Sequence, residues 1–211
     1  MRSRLVLAVG LALLVVLAGC GGGEDDGPVV AEASPADVEP TALAATGYER
    51  VDRSNRTTNT TLTVSIQGDV TIQSTFDVRA TTRRVVYERA VAGGTAAVGV
   101  LSVPGVRPAE AIREPRNPFG DRGPATLATN ATTYTVRDAR QTGTATVRLL
   151  GNETTLRRYA ATGERDDGSL PVTVGVATVR HDGAFVSVVA VVPREADEGD
   201  RVARLAEGVR H

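Results

Sequence analysis

From Thr58 onward, apolar residues alternate with polar ones at a period of two. Leu62, Val64 and Ile66 are separated by Thr and Ser, and Val70, Ile72, Phe76 and Val78 resume the pattern after Gly68-Asp69. Successive strand side chains point to opposite faces, so this alternation predicts half-buried antiparallel strands joined by a turn. Three further pairs follow: Arg83 to Ala92 with Ala96 to Val103 around Gly93-Gly94, Gly143 to Leu150 with Glu153 to Glu164 around Gly151-Asn152, and Pro171 to Arg180 with Ala184 to Val192. The last strand is apolar at nearly every position, which predicts burial on both faces. Asp182-Gly183 reads as the two-residue hairpin turn of that pair. His181 beside it is expected to be exposed, with its side chain turned away from that of Asp182. Asp166-Asp167-Gly168 reads as another turn.

Helical signals are few. Ser34-Pro35-Ala36-Asp37 has the form of a helix start, restarted by Pro40, and the piece Thr41 to Thr46 ends at Gly47. Near the C-terminus Val202, Leu205, Ala206 and Val209 recur at helical spacing, with Asp197 as the expected N-cap. The expected fold class is therefore α+β: a twisted antiparallel β-sheet with a C-terminal amphipathic helix and a short N-terminal helix. A β-sandwich or an open, lipid-cradling half-barrel is the alternative; 3% aromatic residues argue against a large ligand-lined cavity.

The chain opens differently. Arg2 and Arg4 precede a thirteen-residue apolar run, Leu5 to Leu17, too short for a span of about 20 residues. Leu17-Ala18-Gly19-Cys20 then resembles the lipobox of secreted lipoproteins, in which the cysteine becomes the lipid-bearing N-terminus. The expected organisation is a signal peptide over 1–19, a flexible tether over 20–34 and one globular domain over 35–211. The tether begins GGGEDDG, hydrated and acidic, so the membrane is held through lipid on Cys20 rather than by a basic patch.

Composition adds an address. All 24 basic residues are Arg, and the 25 acids leave a formal net charge of −1. Four sequons, at Asn55, Asn59, Asn130 and Asn152, suit an N-glycosylated extracellular surface. With the lipobox, the stretches TALAATGYERV (Thr41 to Val51), RHDGAFVSVVAVVP (Arg180 to Pro193) and DEGDRVARLAEGVRH (Asp197 to His211) resemble an uncharacterised family of haloarchaeal membrane lipoproteins. That resemblance implies a domain lipid-anchored on the extracellular side of the cell membrane, with no activity assigned.

Absences narrow the chemistry. Without Lys there is no Walker A lysine and no Schiff base, and without G-x-S-x-G there is no nucleophile elbow. With Cys20 lipidated, only His181 and His211 remain, too few for a Cys/His zinc set, so neither metal nor cofactor is expected. Arg83-Arg84 and Arg157-Arg158 read as solvated strand charges, and the lack of basic excess argues against nucleic acid. The expected function is non-enzymatic: a surface or envelope protein that binds a partner. The alternative is a carrier of a small ligand or lipid with a pocket between sheet and helix. Partner contact is assigned to the proline-rich stretch Pro104 to Pro124, at Phe119, Arg116 and Arg122, because an aromatic flanked by Arg has the composition of an interface anchor. The competing reading is a helix from Pro108 to Glu114 followed by a loop whose Phe119 caps the core.

Overall fold

The computed structural model describes residues 27–66, 72–109, 112–120, 122–166 and 168–211. Among them the strands are β1 (Val29–Glu32), β2 (Asp37–Val38), β3 (Glu49–Ile66), β4 (Ile72–Val91), β5 (Gly94–Pro104), β6 (Thr135–Leu149), β7 (Asn152–Arg165), β8 (Gly168–His181), β9 (Ala184–Pro193) and β10 (Val209–Arg210). Three helices accompany them, α1 (Pro40–Thr46), α2 (Pro124–Ala131) and α3 (Gly199–Glu207).

This corrects the α+β expectation. Of the described residues 63% are strand and 14% helix, and the main element is one mixed eight-stranded sheet rather than a twisted antiparallel one. The departure from antiparallel pairing is β1, which runs parallel to Val78–Thr81 of β4. It lies inside the stretch expected to be a tether. The helical share is small because the three helices have only 7, 8 and 9 residues. The strands, by contrast, run on: β3 and β4 have 18 and 20 residues, where the alternation suggested short pieces beginning at Thr58 and interrupted before Arg83. Neither contains Gly or Pro to stop it, and cross-strand polar pairs such as Thr57 with Thr81, whose hydroxyls are 2.9 Å apart, carry the ladder through its polar middle.

Strands β5, β9, β8, β7 and β6 follow β4 as antiparallel neighbours, and β3 covers the other edge of β4. The centre of the sheet is β5 and β9. Val186, Val188 and Ala190 of β9 point into one core, with Val98 and Val100 of β5, α1 and α3. Val189 and Val191 point into a second core, with Ala97, Leu101 and Ala128 and Ala131 of α2. The two-sided burial read from the β9 sequence is thus realised, with a helix layer on each face.

Local signals decide the ends of the elements. Gly47 adopts the left-handed conformation (φ 71°) and its N–H closes α1 on the Leu43 carbonyl at 2.8 Å. Ser34 starts no helix; the chain continues extended into β2, which pairs with β10. The N-cap of α3 is Glu198, one residue beyond the expected Asp197. The β6–β7 turn falls on Leu150-Gly151, both with positive φ, one residue before the expected Gly151-Asn152. The expected Asp182-Gly183 turn forms, with φ of 44° and 78°. Part of Pro108 to Glu114, residues 110 and 111, lies outside the described residues; the described ones are not helical, and a bridge joins the main chains of Val106 and Arg116 on either side.

Candidate functional site

Alternation along the strands decides which side chains share a face. On β4, Val85 and Tyr87 enter the core beneath α1 and α3, so Arg84 faces the α2 side. Arg157 and Tyr159 of β7 share that side, since Leu156 enters the opposite core. There the sheet, α2 and the loop before it enclose a cleft of about 750 Å³. Leu101, Val103, Tyr159 and Val176 supply its apolar surface, Phe119, Arg122 and Leu127 one wall, and Arg56, Arg84 and Arg157 its cationic edge. No Asp or Glu occurs among its described lining residues.

The four arginines are held differently. Arg84 donates to Asp52 Oδ2 at 2.6 Å, to Ser54 Oγ at 3.2 Å and to the Asn130 carbonyl at 3.3 Å, so its charge is neutralised locally. That hydrogen bond holds the Asp52 carboxyl below its ordinary range. Arg56 reaches Asn130 Oδ1 at 3.4 Å, and Arg122 stacks over Phe119 with 4.1 Å between guanidinium carbon and ring centre. Arg157 is exposed at the rim.

Of the residues singled out for partner contact, Phe119 and Arg122 therefore meet at the cleft. Arg116 does not join them; its main chain pairs with Val106, and its side chain is exposed outside the cleft lining. Phe119 is half-buried against the small core of Val78, Ala80 and Val106. Asn55 and Asn130 line the cleft, and the Asn130 amide donates to Thr126 O at 2.9 Å. Asn59 and Asn152 are exposed away from it. Cys20 lies outside the described residues. Arg84 and Arg157 escaped the sequence reading, which treated the Arg pairs as units, and Arg56 was not singled out. In fact Arg83 turns the other way, donating to the Ala33 carbonyl at 3.2 Å and facing Glu32.

A smaller cavity of about 210 Å³ lies where a carrier pocket between sheet and helix was expected, bounded by Leu156, Gly175, Val192, Glu198 and Val202. Its one buried charge, Glu198, is consumed by Arg89 at 2.5 Å, Arg201 at 3.3 Å and the Tyr48 hydroxyl at 3.2 Å. Burial, then the Glu198 charge, pushes the Tyr48 phenol far up.

The two histidines come together on the other side of the sheet. His181 ends β8 and His211 follows β10, yet their rings stand edge to face with centres 5.7 Å apart. Asp182 does not point away as alternation suggested: its positive φ places it in the turn, where Oδ2 is 3.4 Å from His181 Nε2. His211 Nε2 is 3.2 Å from Ser102 Oγ, and the ring also bonds the Ser34 backbone. Burial first, then the neighbouring His181, holds His211 below the ordinary imidazole value. Ser102 is fully buried and so is no nucleophile for an external substrate.

A broad eight-stranded sheet, helices on both of its faces and an arginine-edged cleft define a β-rich domain. Residues 35–210 match the family model DUF6517, a domain of unknown function, and the chain belongs to that family. Searches of curated proteins and of solved structures returned no match.

Proposed function

We propose that this protein is a lipid-anchored haloarchaeal surface lipoprotein whose domain binds an anionic envelope partner, a carboxylate-rich protein surface, in the arginine-edged cleft. The observation that carries this reading is the cleft itself, which has three arginines without an ion-pair partner among the described contacts, Arg56, Arg122 and Arg157, an apolar floor and no carboxylate among its described lining residues. Arg presents a planar fork that meets carboxylates bidentately, and stacking on Phe119 pre-orients one such fork. In molar salt, charges farther apart than about 3 Å are screened. Short, directed Arg contacts keep their value there, which suits a protein with no Lys at all.

The carrier reading is less well supported. The cavity between sheet and α3, about 210 Å³, is smaller than the roughly 300–1,000 Å³ of small-molecule sites, and the cleft of about 750 Å³ on the α2 side has an arginine edge that fits an anionic partner better than an apolar cargo. The lipobox supports the anchor, and no helix among the described residues is long and apolar enough to cross a membrane.

The test uses the full chain carrying Cys20→Ser and a fluorescent oligo-glutamate peptide. The variant is expected in the medium instead of the membrane fraction. It should bind the peptide, and Arg122→Glu or Arg157→Glu should weaken binding at least tenfold, while Arg140→Glu, exposed on β6 outside the cleft, leaves it unchanged. Equal binding by all variants would remove the cleft from the account; retention of Cys20→Ser in carbonate-washed membranes would remove the lipid anchor.

A further inference from the structure

The chain contains two histidines in 211 residues, and the fold brings them together from separate elements. The hairpin turn adds a carboxylate. One donor atom from each of His181, Asp182 and His211 can be chosen so that all three lie within 4.8 Å of one another. We propose that His181, Asp182 and His211 form a site for a zinc-class divalent cation, with two imidazole nitrogens and one carboxylate oxygen as ligands and a remaining position open to water.

Geometry supports this set. Bonds of about 2.0–2.2 Å to a tetrahedral centre place neighbouring donors roughly 3.3–3.6 Å apart. His181 Nε2 and Asp182 Oδ2 are already 3.4 Å apart. His181 and Asp182 keep 33% and 79% of their side-chain exposure, so both can turn to close on the third donor and the ion has a way in. His211 is the fixed member, oriented by Ser102 Oγ and the Ser34 backbone. Metal-binding histidines usually carry an outer partner on the ring nitrogen that does not bind metal, so one of these two contacts is kept in that role and the other is exchanged for the ion.

The donor set selects the ion. Two imidazoles with one carboxylate suit Zn²⁺ and its first-row neighbours, whereas Ca²⁺ and Mg²⁺ require mostly oxygen ligands. Charge favours it as well, because Asp182 has no arginine partner among the described contacts. The consequence is mechanical. β10 and β2 are two residues each, and a bound ion would staple the segment after β10 to the β8–β9 hairpin.

The test is a Zn²⁺ titration of the full Cys20→Ser chain, which removes the competing thiol, read by nitrogen-detected imidazole NMR and by melting temperature. With only two histidines, the spectrum contains two side chains. Both imidazoles are expected to shift together and saturate at one equivalent, with a rise in melting temperature that neither Ca²⁺ nor Mg²⁺ reproduces. His181→Ala and Asp182→Asn should each weaken zinc binding at least tenfold; their melting temperatures without zinc show that they fold, and Asp182→Asn keeps the turn. A shift of one imidazole only, of neither, or undiminished binding by His181→Ala would overturn the proposal.

Discussion

The carbonyl oxygen of Ala131 occupies the space where a side chain at Gly99 would begin: a β-carbon there would lie 2.0 Å from it. Gly99 sits at mid-strand in β5, facing α2, and only the lack of a side chain lets the end of that helix rest on the sheet. The obstacle is backbone, which cannot rotate aside. Gly99→Ala is therefore expected to displace α2 and lower stability by about 1–3 kcal/mol or more, as overpacking does. Gly143→Ala is the matched control, since nothing lies within 4 Å of its would-be β-carbon. Chemical denaturation should separate the two: a loss for Gly99→Ala and a change within about 0.5 kcal/mol for Gly143→Ala.

Val189 tests the centre of the sheet. It has no exposed surface and packs with Val174, Val191 and Ala131. Val189→Asp buries an unpaired carboxylate at a cost of several kcal/mol, comparable with the whole stability of many domains. Loss of the cooperative melting transition is expected; a melting curve like that of the wild type would place the core elsewhere.

What could be read from the chain follows from which interactions are local. The β9 run of Ala, Phe and Val, the Asp182-Gly183 turn and the Gly47 helix end carry their reasons within a few residues, and all three are found in the fold. Helix α2 was not legible. Its sequence, PATLATNA, has only Ala128 and Ala131 fully buried, with Ala125 and Leu127 partly buried beside them, so it shows no strong apolar stripe and depends on its packing on the sheet, where it approaches Gly99 closely. The meeting of His181 with His211 depends on the two-residue pairing of β2 with β10, which leaves no periodic trace. The cleft arginines were hidden for a related reason. Assigning Arg84 and Arg157 to one face requires knowing which of their neighbours are buried, and that is a property of the assembled sheet.

Phe119 separates packing from recognition. It covers the Val78, Ala80 and Val106 core while presenting a ring to Arg122. A fully buried Phe→Ala costs roughly 3–5 kcal/mol. Half-burial reduces that, so Phe119→Ala is expected to lose on the order of 1–2 kcal/mol. Phe119→Leu keeps most of the apolar cover but removes the face that orients Arg122, a contact worth about 0.5–1 kcal/mol at an exposed site. Peptide binding should therefore weaken in Phe119→Leu while its melting temperature stays near the wild type. Undiminished binding by Phe119→Leu, measured by fluorescence anisotropy, would make the residue a core cap only.

Alkaline stability should report the buried phenols. Tyr48, on Glu198, and Tyr87, whose hydroxyl donates to Asp37 and accepts from the Val38 N–H at 2.9 Å, both have raised pKa values, with burial as the leading cause. In the unfolded chain a phenol ionises near 10. Above that pH the unfolded state binds fewer protons than the folded one, so stability is fully present below about pH 10 and falls as pH rises toward the folded values. Tyr48→Phe removes one of these groups together with its hydrogen bond to Glu198, at a cost of about 1 kcal/mol near neutrality. Because the phenylalanine has no proton to lose, the variant should decline less steeply above pH 10 than the wild type. Urea midpoints measured from neutral to alkaline pH check this, and parallel slopes for the two proteins would show that Tyr48 ionises in the folded state as freely as in the unfolded chain.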